Sequence, residues 1–217
     1  LWNEHWETNK PFTSRFTGTD HSPYFNSYRK NAAYAGINVL TDLKEIISKF
    51  QPTSIVLPHP LDEHRDHSAT AAFVVTSVTE LVHRGVISQP VLYTYLVHRG
   101  DFPIPHGYKP EASLLPPKPL SGVSFPGWYI RPLDTDTENL KEQAIKEYKS
   151  QIRIPIMSSL LESFIRTNEL FDEVRLPVVE KSPPGLSLNS PSTWTGQAPL
   201  LVNPIGLNPL GSLESKS

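Results

Sequence analysis

Between residues 27 and 97 the chain alternates helical and strand patterns, and this alternation restricts its fold more than any other feature. From about Asn26 to Phe50, Tyr34, Ile37, Leu40, Leu43, Ile46 and Ile47 recur at steps of three and four, the spacing of one helix face. Gln51-Pro52 ends that helix, because proline cannot continue it. Thr53-Ser54-Ile55-Val56-Leu57 is a short β-branched run suited to a buried parallel strand. A second helix is predicted from Ser68 to Arg84, stopped by Gly85, and Val91 to Val97 forms the clearest strand. Helix, strand, helix, strand in this order predicts an α/β fold, a parallel sheet with helices packed on its faces.

The rest of the chain is less regular. Residues 98–133 form a Pro-rich connection, and a stretch of that length inside a domain is usually a lid or binding loop. A helix is predicted from about Thr137 to Gln151, with Thr135 and Glu138 at the spacing of a capping box. Pro155 opens a further predicted helix that runs through Leu170-Phe171 and carries Arg166 and Glu169 as a structural ion pair. The aromatics Trp2, Trp6, Phe12, Phe16, Tyr24 and Phe25 cover a core edge or form a sugar-stacking rim. Residues 1–176 are expected to form one α/β domain, and residues 177–217, rich in Pro, Ser and Gly, a tail or the start of another module. The opening Leu1-Trp2-Asn3-Glu4-His5-Trp6 reads like the middle of a protein, so an N-terminally truncated piece is expected.

Chemistry concentrates after the first strand. His59, Asp62, Glu63, His64, Asp66 and His67 fall within nine residues, where open α/β sheets bind their ligands, beyond the carboxyl ends of the strands. The chain has no cysteine, so any metal must be held by imidazole and carboxylate. His64 and His67, three apart on a turn entering a helix, can face one point, and a neighbouring carboxylate such as Asp66 can orient an imidazole. Asp66 alone would serve as a helix cap; three histidines with two further acids exceed what a cap requires. His98 and Arg99 end the next strand and fall near the same crevice. A net charge of −2 without a basic, aromatic-interleaved stripe argues against nucleic acid. No apolar run is long enough for a membrane span.

The run Leu57-Pro58-His59-Pro60-Leu61-Asp62-Glu63-His64-Arg65-Asp66-His67-Ser68-Ala69-Thr70 resembles the second motif of the PIG-L/LmbE-type N-deacetylases, zinc hydrolases that remove acetyl groups from N-acetylglucosamine-type amino sugars. Further similar stretches are Tyr95 to Pro103, Leu115-Pro116-Pro117, Lys141 to Gln151 and Ser163 to Phe171, so the likeness runs from residue 1 to 171. It implies a Rossmann-like sheet and a small amino-sugar or glycoconjugate substrate. It further implies His67 as a zinc ligand, His64 as the group at the oxyanion or proton donor, Asp66 tuning it, and Asp62, His98 and Arg99 near the substrate. The family's other zinc ligands and its base come from a His-Pro-Asp-Asp-Glu motif that this sequence lacks. Zinc at a site completed by one imidazole would be held poorly, so the chain alone is expected to be inactive. Two rival readings are a metallo-β-lactamase-like hydrolase, whose His-x-His-x-Asp-His spacing Asp62 to His67 nearly shares, and a non-catalytic carbohydrate-binding relic. The helix–strand order and Ser68-Ala69-Thr70 in place of glycine count against the first.

Overall fold

A computed structural model describes residues 9–121, 127–174 and 176. Helix α1 (Gly36–Phe50) leads into strand β1 (Ser54–Pro58), helix α2 (Arg65–His83) and strand β2 (Val91–Tyr95). After a 3₁₀ turn at Lys118–Leu120 come strand β3 (Trp128–Pro132), helices α3 (Thr135–Lys146), α4 (Lys149–Ile152) and α5 (Pro155–Glu162), and strand β4 (Asn168–Val174). The sheet order is β1-β2-β4-β3. β1 and β2 pair in parallel across α2, as the alternation predicts. β4 runs antiparallel to both β2 and β3, so the expected parallel sheet is corrected to a mixed one.

α1 is shorter than predicted. It begins at Gly36 and buries Leu40 and Ile47, while Ile37 and Ile46 stay exposed. Its end is as expected: Gln51 turns into the left-handed region, φ 53°, and its N–H returns to Ile47 O, before Pro52. α2 starts three residues before the predicted Ser68 because His64 acts as its N-cap, its ring accepting from Asp66 N–H. Gly85 stops it at φ +67°, a conformation that costs glycine nothing. α3 is capped by Asp134, whose Oδ1 accepts from Thr137 N–H at 2.8 Å, rather than by Thr135 with Glu138.

The helix predicted through Leu170-Phe171 ends at Glu162, and β4 takes its place. The expected Arg166–Glu169 pair does not form. Glu169 pairs with Lys141 at 2.7 Å. The Arg166 guanidinium is fully buried and donates to the carbonyls of Gly107, Lys109, Ile165 and Pro105. Burial pulls it below the ordinary arginine value, with Glu111 opposing.

Two apolar clusters hold the molecule together. α1 and α2 close one over the sheet with Ile47, Leu57, Ala71, Val74, Val78, Leu81, Leu92 and Leu176. The second joins Leu96, Phe102, Leu114, Leu120 and Leu170, with Leu61, Trp128 and Phe164 packed against it. The Pro-rich connection therefore has a core of its own and is anchored to β4. Phe16, Tyr24 and Phe25 stand exposed instead of covering a core edge, and Phe12 is half-buried. Trp2, Trp6 and the predicted tail (177–217) lie outside the described residues. No helix among the described residues is long and apolar enough to cross a membrane.

Candidate functional site

The loops that follow the two parallel strands are zipped together by backbone. His59 N–H donates to Tyr95 O at 2.7 Å, and Glu63 N–H donates to His98 O at 2.7 Å. Asp62 closes the seam. Its Oδ2 accepts from Val97 N–H at 2.9 Å and His98 N–H at 3.0 Å, and its Oδ1 accepts from His64 N–H at 2.9 Å. Burial raises the Asp62 carboxyl, but the N–H groups of His98, Val97 and His64 outweigh it, leaving the group below its ordinary value. Its side chain is 0% exposed. Asp62 is a clamp between two loops, and its carboxylate presents no open face to a substrate.

That clamp brings three imidazoles to one place. Ring centroids stand 4.8 Å apart for His64–His67, 5.4 Å for His64–His98 and 5.3 Å for His67–His98. His64 is exposed, while His67 and His98 are half-buried. His64 Nδ1 accepts from Asp66 N–H at 3.3 Å, so in the neutral ring Nε2 carries the proton and is the donor. The orienting group is the Asp66 backbone, not its carboxylate, which is exposed. The carboxylate nearest an imidazole is Asp62, whose Oδ1 lies 3.1 Å from His67 Nδ1, off the line of a good hydrogen bond. Burial holds His98 below the ordinary imidazole value; His67 and His64 add to this, while Asp62 and Glu63 oppose it.

Arg99 turns back along the seam. Its Nη1 donates to Leu61 O at 3.4 Å and lies 3.7 Å from Glu63 Oε1, and Gly100 N–H donates to Glu63 Oε2 at 3.2 Å. The structure thus gathers His64, His67 and His98 at the surface, buries Asp62 beneath them, and places Asp66 and Arg99 at the rim.

The sequence places His59 in the cluster of acids and histidines without giving it a role, and nothing in it points to Asp172 and Trp128 as its partners. His59 is 4% exposed, and its Nδ1 accepts from Leu61 N–H at 2.9 Å. Nε2 therefore bears the proton and donates to Asp172 Oδ2 at 3.2 Å, while the ring stacks on Trp128 at 5.8 Å and 11°. No signal marks Asp172 in a segment whose pattern reads as helix.

Among the described residues no three His, Asp or Glu side chains are arranged to hold a metal ion. No protein-family model matches the chain, and neither a curated protein nor a solved structure matches it.

Proposed function

We propose that this chain carries the histidine half of a metal-dependent N-deacetylase site acting on an acetylated amino sugar of the N-acetylglucosamine type. The observation that supports it is the triangle of His64, His67 and His98 at the carboxyl ends of two parallel strands. Amide hydrolysis requires donors poised where charge develops on the carbonyl oxygen. His64, its proton kept on Nε2 by the Asp66 amide, is such a donor. His98, whose hold on a proton is weakened by burial, offers a second polar contact. Asp62 fixes both by their backbone N–H groups.

The zinc of such hydrolases does not fit the described residues by themselves. His67 is the ligand the resemblance assigns, and a catalytic zinc takes three protein ligands; no such set is present among the described residues. What the chain supplies to the reaction is therefore the work of its histidines, and the chain alone is expected to bind zinc weakly and to turn over no substrate.

The test is a titration of the chain with an N-acetylglucosamine derivative and with the corresponding free amine, read by the imidazole NMR signals. The acetylated sugar should shift the signals of His64, His67 and His98, and the amine should do so less. Equal responses, or none at millimolar sugar, overturn the substrate assignment. Stoichiometric tight zinc with amine release overturns the half-site.

A further inference from the structure

We infer that His59 and Asp172 are a positioning pair, which sets the crevice by hydrogen bonding and takes no part in proton transfer. What the crevice is for rests on the hydrolase reading; the positioning itself rests on geometry. Leu57, Thr94, Asp172 and Trp128 form one register row across all four strands, on the face that carries the core. His59 lies one residue past the end of β1, directly above that row, where β3 and β4 reach it.

Each nitrogen of its ring is committed. Nδ1 accepts the Leu61 amide, so it cannot receive a proton without breaking that bond, and Nε2–H is directed at Asp172. A ring fixed at both ends has no free nitrogen for a relay. Its effect is mechanical. It fixes the turn at residues 59–61, and Asp62 follows immediately. Asp62 N–H itself donates to His59 O at 3.0 Å. Asp62 in turn holds the amides of His64, Val97 and His98, and so the distances between the three surface imidazoles.

Asp172 carries the pair to the far half of the sheet. Its side chain is 9% exposed, Oδ2 takes the His59 proton, and its backbone O accepts from Thr94 Oγ1 at 3.1 Å. Asp172 Oδ1 is buried with no hydrogen-bond partner among protein atoms. A buried carboxylate left half-satisfied is unfavourable as packing and is retained more easily where it orients a neighbour. The parallel β1–β2 half and the antiparallel β3–β4 half of the sheet are thereby coupled at the site.

Two substitutions at one position separate hydrogen bonding from packing. His59→Gln can accept the Leu61 amide and donate to Asp172 but loses the ring; His59→Phe keeps the ring on Trp128 and loses both bonds. Amide hydrogen exchange in the full chain reads the result at Leu61, His64, Val97 and His98. Loss of a hydrogen bond lowers protection by roughly ten- to a hundredfold. The expected result is that Phe lowers protection at these four amides while Gln keeps it near wild type. Equal protection in both variants, or equal loss in both, overturns the positioning role, since either outcome makes ring volume or nothing decisive. If the Phe variant does not fold, Asp172→Leu, which removes the acceptor, replaces it: exchange at the four amides must rise relative to the core amides of Val78 and Leu92, and unchanged exchange overturns the inference. A chain that ignores acetylated sugars would sink the hydrolase reading and leave this comparison intact.

Discussion

Replacing Asp62 by Asn probes the seam between the two loops with the smallest change of shape. The carboxylate accepts three backbone hydrogen bonds, at 2.9, 2.9 and 3.0 Å, from a side chain that is fully buried. Bonds to a charged acceptor contribute about 1.5–3 kcal/mol each and neutral ones about 0.5–1.5. An Asn oxygen placed at Oδ2 keeps the Val97 and His98 bonds as neutral ones, a loss of about 2–3 kcal/mol for the two. Its NH₂ then meets the His64 N–H, donor against donor, which removes about 1.5–3 kcal/mol more. The expected destabilisation is therefore about 3.5–6 kcal/mol, a large fraction of a typical domain's stability. Urea unfolding measures it, with an unchanged slope showing that the same surface is exposed. The pH dependence gives an independent check. The folded-state carboxyl lies below its ordinary value of 3.8, so its contribution is complete well above that value and is lost as pH falls through the lower folded value. The gap between wild type and Asp62→Asn should hold at neutral pH and narrow on acidification. A difference under about 1 kcal/mol at neutral pH, or a gap that does not narrow in acid, refutes the clamp.

Arg166→Met removes the donor to four carbonyls of the Pro-rich connection and its flank. It should destabilise by about 2–4 kcal/mol and expose residues 103–110 to limited proteolysis; unchanged cleavage would refute the anchoring role. Leu92→Ala, at a fully buried site in the larger cluster, should cost about 2–5 kcal/mol in urea unfolding. Excess zinc should raise stability by less than about 1 kcal/mol, and His67→Ala should abolish that small effect in a calorimetric scan. A His67→Ala variant that binds zinc as wild type does would remove His67 from the ligand set.

The part of the fold that the sequence discloses is the part where packing follows simple periodicity. Ile55 and Leu57, and then Leu92, sit in short apolar runs because β1 and β2 are central to the larger core. The helix between them shows Ala71, Val74, Val78 and Leu81 on one face for the same reason. β4 hides because two of its three inward residues, Asn168 and Asp172, are polar, so its period of two carries no hydrophobic alternation. Asn168 is satisfied by Leu114 backbone on both sides, and Asp172 Oδ2 is met by His59. Both partners are more than fifty residues distant in sequence, and no local pattern announces them. The site divides in the same way. The gathering of His64, His67 and His98 follows from their position at strand ends, whereas the burial of Asp62 comes from amides on another loop and has no local signal.

The distinction between Asp62 and the imidazoles bears on the kind of ligand the crevice can take. A cluster of three histidines would bind anions if it were charged, and it lies above a buried carboxylate that could supply the balancing charge. That carboxylate is already engaged by three N–H groups, and the nearest imidazole nitrogen sits off its hydrogen-bonding line. Burial and the neighbouring rings moreover hold His98 below the ordinary imidazole value, against Asp62 and Glu63. Neutral rings are donors through one nitrogen and lone-pair ligands through the other. On the proposed reading the site takes a polar, uncharged group such as an amide carbonyl, and binding of an acetylated sugar should then persist at raised salt, where an anion site would weaken.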